Sequence, residues 1–343
     1  MKGTMMAKVA VIGNTTWGTT LALIAVRAGA DAVVWTRSQQ EADAINTEKL
    51  DANALPGVLL PDEISHTASI ERALDGASVA ILAVPSQSMR DNVKKVAGHL
   101  NYSMVIVSAA KGIEEISGKR MSEVIAEEIG SKFHDNICVL SGPNLSAEIV
   151  KSMPSTTVIA AKDIEVAKKA QQVLSSPLFL VYVSGDVTGV ELGGALKNVI
   201  ALSAGMSDGL GYGDNSKSAL ITRGLAEISR LGIAMGANPF TFHGLAGLGD
   251  LITTCASTLS RNHHVGEQLA KGRKLDEILS SMQGIAEGVK TVIVARKVAR
   301  RLKVDMPITE QVYGVLYEGI PVIQAMRNLM QRKLKHELTD CDS

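Results

Sequence analysis

Short runs of consecutive apolar residues, separated by stretches with helical spacing, fill the first half of the chain. Lys8–Ile12 reads KVAVI, Ala32–Trp35 AVVW, Ser78–Val84 SVAILAV, Met104–Val107 MVIV and Ile137–Leu140 ICVL. Continuous rather than alternating hydrophobicity marks strands covered on both faces. Residues 17–29 carry apolar positions at helical spacing and stop at Gly29. Strand–helix–strand order predicts an α/β fold with a doubly wound parallel sheet. Thr156–Ala161 and Phe179–Val183 read as two closing strands. After Gly185 the β-branched runs cease, and residues 187–335 read as mostly helix. Fourteen of the 31 glycines lie between positions 185 and 249, a density that suits helices packed closely on one another or on a ligand. The pattern therefore divides the chain into a sheet domain over 1–185, an all-helical domain over 186–335 and a polar, frayed tail over 336–343.

Composition narrows this picture. At ~100–200 residues per domain, a chain of this length holds about two domains. Hydrophobic residues make up 46% and charged residues 20%, which permits a packed core and excludes global disorder. Aromatics are only 3%, so small residues fill space that rings usually fill. Lys plus Arg equals Asp plus Glu at 35 each, which argues against general nucleic-acid binding by phosphate neutralisation and leaves room for a local anion pocket. Cys138, Cys255 and Cys341 are far apart and odd in number, which speaks against a disulfide framework. No signal-peptide h-region precedes Lys8, and no apolar run approaches a transmembrane span. The expectation is a cytoplasmic protein.

Gly13-Asn14-Thr15-Thr16-Trp17-Gly18 follows the first strand and opens the first helix, where a Rossmann-type dinucleotide-binding turn belongs. Gly13 permits the sharp turn, Gly18 lets helix and strand approach, and the helix start attracts a pyrophosphate. The middle glycine of the usual G-x-G-x-x-G is Thr15, whose Cβ is expected to crowd that pyrophosphate unless the backbone shifts. Near the end of the second strand stands Arg37, where an acidic residue would bind a ribose 2′-hydroxyl; arginine accommodates a 2′-phosphate instead. The reading leans to NADP(H), with NAD(H) tolerated. Val84-Pro85-Ser86 and Ser108-Ala109-Ala110-Lys111-Gly112 come at carboxyl ends of strands, so Lys111 is placed to meet cofactor or substrate.

In the helical half, Lys197 has Gly193, Gly194, Ile200 and Ala201 at spacings of three and four. Small and apolar neighbours favour a partly buried amine, and burial turns a lysine into a proton-transfer group near neutral pH. Ser260 reads as the cap of a helix over 261–271, with Arg261 beside its free amides, an arrangement suited to an anion. Asp250 lies ten residues upstream of Ser260, placed to hydrogen-bond a hydroxyl or to orient Lys197. His263-His264 lacks the spacing of a metal site. Asp208 and Asp214 sit in a Gly-rich turn, which they shape or in which they hold a cation. No GxSxG or P-loop is present, so acyl transfer and nucleotide hydrolysis lack a visible site.

These residues fall into longer motifs: IGNTTWGT at 12–19, LAVPSQ at 82–87, SAAKGIE at 108–114, SGPNLSAE at 141–148, ELGGALKNVIAL at 191–202, DGLGYGDNSKSALITRGLAE at 208–227, AMGANPFTFHGLAGLGDLITTC at 234–255, SRN at 260–262 and AEGV at 286–289. In this order they resemble the bacterial NAD(P)-dependent glycerol-3-phosphate dehydrogenases over roughly residues 7–330. The resemblance implies reversible reduction of dihydroxyacetone phosphate to sn-glycerol 3-phosphate for phospholipid synthesis, no metal, and a homodimer. It implies Lys197 as catalytic acid/base. Lys111, Gly142, Asn144, Asn198, Asp250, Ser260, Arg261 and Asn262 would contact substrate. Gly13, Thr15, Thr16, Trp17, Gly18, Arg37, Lys111, Ser146, Arg261, Ile285 and Glu287 would line the cofactor site. The chain departs from the family pattern at Thr15 and Thr16, at Asn144-Leu145-Ser146 in place of the usual S/T-F-A, and at Ala110 in place of Thr.

Two rival readings remain. One is a β-hydroxyacid or 6-phosphogluconate type dehydrogenase, which GNTTWG fits poorly because those families carry GxGxMG. The other is a dinucleotide-binding regulatory protein without catalysis, which has no need of Lys197, Asp250 and Arg261.

Overall fold

The computed structural model describes residues 7–282 and 284–333. The expected tail over 336–343 and Cys341 lie outside the described residues. The described chain forms two compact units. One takes the chain up to Lys111 together with Lys119–Glu191; the other takes Gly112–Gly118 and the chain from Leu192.

The first unit is built on one eight-stranded sheet: β1 (Lys8–Ile12), β2 (Asp31–Trp35), β3 (Ile64–Thr67), β4 (Val79–Leu82), β5 (Val105–Ser108), β6 (Ile137–Ser141), β7 (Ser155–Ala161) and β8 (Phe179–Ser184). Its order is β3-β2-β1-β4-β5-β6-β7-β8. The chain thus turns outward in opposite directions from β1 and β4, the doubly wound arrangement that places ligands outside the carboxyl ends of the strands. Odd and even positions of the central strands feed two different cores. Val9, Val11, Val105 and Val107 pack with the helices Thr16–Arg27 and Ile164–Leu174. Ala10, Ile12, Ile106 and Leu82 pack with Met89–Val96 and Met121–Glu128. That two-sided burial is why the strands read as unbroken apolar runs.

Two features depart from expectation. β3 is a strand that the apolar pattern did not mark, because its centre is Ser65-His66 and it lies at the edge of the sheet. β7 runs antiparallel to β6, whereas β8 returns parallel to β7.

The second unit is helical. Its long helix, Val187–Gly209, begins in the first unit, so the division falls after Glu191, six residues beyond the expected cut after residue 185. Glu191 in that first turn is buried, and its carboxylate accepts from Arg120 Nη1 (2.6 Å), Ser122 N (2.7 Å) and Ser122 Oγ (2.6 Å). Burial pushes its pKa up, and the Arg120 charge and the Ser122 bonds oppose this. The short excursion Gly112–Gly118 joins the second unit because Ile113 is buried in the helical core and Glu115 pairs with Lys290 (3.1 Å).

Glycine sets the helix spacing here. A Cβ on Gly205 would overlap the carbonyl of His263, and one on Gly266 the carbonyl of Leu202. On Gly209 it would come within 2.7 Å of Glu267 O. Positions 198, 202, 205 and 209 form one stripe, along which the helix Arg261–Ala270 lies nearly backbone to backbone. Exposed helical Gly→Ala changes stabilise by ~1 kcal/mol. Here the sign reverses: Gly266→Ala is expected to destabilise by about 1–3 kcal/mol in chemical denaturation. A gain in stability would contradict this packing.

Candidate active site

The nucleotide end is organised by the turn between β1 and the helix Thr16–Arg27. Gly13 has φ of 119°, and a Cβ there would stand 2.8 Å from Ala83 O. On Gly18 a Cβ would overlap Gly13 O. Thr15 adopts extended backbone as the helix N-cap; its Oγ1 accepts from Gly18 N (3.0 Å) and donates to Ala83 O (2.9 Å). The Thr15 hydroxyl thus closes the turn against the end of β4. The first-turn amides of Thr16 and Trp17 remain without an intrahelical partner, as at any helix start. Thr16 is exposed, and the half-buried Trp17 holds its Nε1 buried without a hydrogen-bond partner among the described residues. Arg37 is exposed, immediately before Ser38, which caps the helix Gln39–Glu48. A bare-glycine turn, free amides and a cation at the end of β2 fit a pyrophosphate-bearing dinucleotide.

In the same unit, Lys111 follows β5 and its Nζ donates to Gly142 O (2.8 Å) just past β6. A Cβ on Gly142 would come within 2.9 Å of Thr157 Cα, so the loop lies directly on β7. Asn144 holds it there. Its Nδ2 donates to Thr156 O (3.0 Å) and Ser155 Oγ (3.2 Å), and its Oδ1 accepts from Thr157 Oγ1 (2.9 Å). The amide is thus engaged at both ends in fixing the loop that carries Gly142. Ser146 is half-buried at the start of the helical turn Ser146–Ile149.

The second unit gathers the remaining candidates. Lys197 and Asp250 are 5% and 1% exposed, a buried pair in which Lys197 Nζ donates to Asp250 Oδ1 and to Thr254 Oγ1 (2.7 Å). Thr254 Oγ1 in turn donates to Asp250 O (2.6 Å) one turn back on the helix Asp250–Ala256. The glycine four residues before Lys197 explains how they meet. A Cβ on Gly193 would stand 2.5 Å from Ala246 O, so the turn Leu245–Gly249 lies against the long helix and delivers Asp250.

Asn198, adjacent to Lys197, is held from a second helix start. Asn262 Nδ2 donates to Asn198 Oδ1 (2.9 Å), and Gly288 N donates to Asn262 Oδ1 (2.9 Å). The Nδ2 of Asn198 makes no hydrogen bond among the described residues. Ser260 caps the helix Arg261–Ala270, its Oγ accepting from His263 N (3.3 Å). Arg261 lies against Gly284, whose φ of 84° turns the chain there. Surrounding protein lowers the Arg261 pKa and the charge of Glu287 opposes it; a guanidinium stays cationic at neutral pH in either case. Glu287 opens the helix Glu287–Leu302, and Ile285 beside it is 49% exposed.

The starts of the helices Arg261–Ala270 and Glu287–Leu302 thus meet at Asn198, the neighbour of Lys197, bringing positive dipole ends and amide donors there. Thr254 and the Gly288 amide were not foreseen. The only trace of Thr254 in the sequence is a hydroxyl four residues after Asp250, on the same helix face.

A dinucleotide-binding sheet unit joined to a helical unit with a buried lysine–aspartate pair defines a two-domain nicotinamide-dependent dehydrogenase. Within that class, the chain belongs to the NAD-dependent glycerol-3-phosphate dehydrogenase family. The model of the family's N-terminus matches residues 8–167 and that of its C-terminus residues 186–327. A protein of Dehalococcoides mccartyi named glycerol-3-phosphate dehydrogenase (NAD(P)+) is 51% identical over 334 residues, covering 97% of this chain and 93% of that protein. One of that name from Geobacillus kaustophilus is 46% identical, covering 98% of each. The crystal structure of glycerol-3-phosphate dehydrogenase from Coxiella burnetii superposes with a TM-score of 0.89 at 30% identity, covering 95% of this chain and 99% of that one.

Removing one partner of a buried ion pair leaves the other charge uncompensated. Asp250→Ala is expected to cost about 3–5 kcal/mol of folding stability. The double variant Lys197→Met, Asp250→Leu should recover most of it in the same denaturation assay. A double variant no more stable than the single one would contradict a paired, desolvated arrangement.

Proposed function

We propose that the protein catalyses reversible hydride transfer between NAD(P)H and dihydroxyacetone phosphate, forming sn-glycerol 3-phosphate. The observation that carries this reading is the buried Lys197–Asp250–Thr254 set, beside a helix start that bears Ser260 and Arg261. When bound, the dihydronicotinamide supplies the hydride. The Lys197 ammonium donates a proton to the alkoxide forming on the substrate, and its charge stabilises that oxygen as it develops. Asp250 and Thr254 orient the amine. Asn198 offers its Nδ2 to a substrate oxygen, while Asn262 fixes its rotamer and contributes to the same binding surface. Ser260, Arg261 and the free amides behind them hold the phosphate, so remote binding energy orients the carbonyl.

In the first unit, Gly13, Thr15, Thr16, Trp17 and Gly18 form the pyrophosphate turn, and Thr15 acts by capping it. Lys111 contacts substrate and cofactor, and the backbone of Gly142 and the Asn144 amide, which also ties their loop to β7, contact substrate. The family resemblance supports Ser146, and in the second unit Ile285 and Glu287, as cofactor contacts. Arg37 favours the 2′-phosphate, which makes NADPH the preferred donor. The family resemblance further supports a cytoplasmic homodimer that supplies phospholipid backbones. Among the described residues, no helix is long and apolar enough to cross a membrane.

Absorbance-monitored NADPH oxidation should depend on dihydroxyacetone phosphate and not on β-keto acids. The reverse selectivity would favour the β-hydroxyacid reading, and binding without turnover the regulatory one. Lys197→Ala should lower kcat by about 10²–10⁴-fold while NADPH fluorescence titration shows cofactor still bound; near-normal turnover would remove Lys197 from its role. Arg37→Ala should reduce the NADPH-over-NADH ratio of kcat/KM by about tenfold, the loss of one charge-assisted contact. An unchanged ratio would reassign Arg37 to the solvated surface.

A further inference from the structure

Asp208 and His263, which the mechanism above does not use, meet in the helical unit. Asp208 stands in the last turn of the long helix Val187–Gly209, and its Oδ2 accepts from both His263 Nε2 (2.8 Å) and Lys217 Nζ (2.7 Å). His263 is buried on the helix Arg261–Ala270, and Lys217 belongs to the helix Asp214–Ala234, so one carboxylate oxygen joins three helices. We propose that Asp208 and His263 are positioning residues for substrate binding: their contact sets the register of the helix Arg261–Ala270 along the long helix, and with it the placement of Asn262 against Asn198. This inference rests on the function proposed above and adds to it two residues whose effect on substrate passes through others.

The packing of the two helices calls for such a tie. Ridges of side chains seated in grooves ordinarily fix how far one helix sits along another. Here the contact runs over Gly205, Gly209 and Gly266, which present backbone and no ridge. Close approach sets the distance between the helices and leaves sliding along them to be stopped by polar contacts. Asn262 Nδ2 donates to Asn198 Oδ1 (2.9 Å), and His263 Nε2 donates to Asp208 Oδ2. Asn262 and His263 are consecutive, whereas Asn198 and Asp208 stand ten residues apart on the long helix, about 15 Å along its axis. Two grips so widely separated admit one register, because a slide that keeps one breaks the other. His263 also donates its backbone amide to Ser260 Oγ (3.3 Å), so the residue whose ring is anchored holds the cap beside Arg261.

The tie is also close to the reactive pair. Burial pushes the Cys255 thiol up to about 12, and the charges that act on it are those of Lys197, Asp250, Lys217 and Asp208. The Asp208–Lys217 pair and the Lys197–Asp250 pair thus act on one buried side chain. They differ in what they hold. Lys197 is held by Asp250 and Thr254 on the helix Asp250–Ala256. Asn198, Ser260 and Arg261 depend instead on where the helix Arg261–Ala270 lies. Loosening the tie therefore weakens the grip on substrate more than it slows the proton transfer.

The test is steady-state kinetics at saturating NADPH on wild type, His263→Leu, His263→Gln, Asp208→Ala and the double variant His263→Leu, Asp208→Ala, with folding followed by circular dichroism and denaturation. Loss of one hydrogen bond to a charged group should raise KM for dihydroxyacetone phosphate about tenfold in His263→Leu and in Asp208→Ala, with kcat within about twofold of wild type. His263→Gln keeps an N–H donor and should keep KM near wild type. The double variant should be no worse than the worse single one, because both remove the same contact. A role in stability alone would lower the denaturation midpoint and leave KM unchanged, and that result overturns the proposal. So does a KM as high in His263→Gln as in His263→Leu, or single effects that multiply in the double variant. If His263→Leu does not fold, Asp208→Asn decides: it keeps an acceptor without the charge, and KM should rise at least about twofold. No rise there overturns the proposal. If wild type shows no turnover with dihydroxyacetone phosphate, the functional reading falls and takes this inference with it. Wild-type turnover with KM unchanged in the variants sinks this inference alone.

Discussion

An ammonium and a carboxylate held out of water, Lys197 against Asp250, are the constraint around which the helical unit is arranged. Burying such a pair costs several kcal/mol per ion before the mutual attraction is counted, and the geometry must be good enough to return it. Thr254 answers part of that demand by accepting from the amine while donating to the carbonyl of Asp250. The rest is met by position. Gly193 lets a chain segment lie on the long helix one turn before Lys197, and that segment ends at Asp250. An alanine at 193 would push the carboxylate away from its partner. A chain poor in aromatic rings is suited to this, since bare glycine faces let backbones rather than side chains define the contact.

The neighbouring polar chain works by the same logic. Asn198 is fixed by Asn262, which is fixed by the amide of Gly288, so each amide group has a determined orientation. A side-chain network with every orientation determined is pre-organised, and a substrate meeting it demands no reorganisation of the protein. The helix carrying Lys197 is itself anchored at its first turn through Glu191, whose carboxylate is fully engaged by Arg120 and Ser122.

Much of this was legible in the linear chain, for physical reasons that vary by residue. The central strands declared themselves because both faces are buried. β3 did not, because an edge strand centred on Ser65 and His66 carries little apolar signal. The excursion of Gly112–Gly118 into the helical unit rests on Ile113, which is buried while Ile116 three residues on is exposed, a difference no local pattern reveals. Lys197 stood out through the small residues around it, and Ser260 through its capping position. Thr254 did not, because its partner lies fifty-seven residues away. Thr15 appeared in sequence as an obstacle to a pyrophosphate; in three dimensions it is the cap that closes the turn. Asn144 is expected to contact substrate, and no sequence pattern showed that its amide also ties its loop to β7.

The most direct test is a crystal structure of the protein with NADP+ and sn-glycerol 3-phosphate both bound. The account predicts Lys197 Nζ within about 2.7–3.2 Å of the oxygen on the central carbon of the substrate, with Asp250 still beside the amine. An amine that stays on Asp250 and Thr254 alone, while another side chain meets that oxygen, would contradict it.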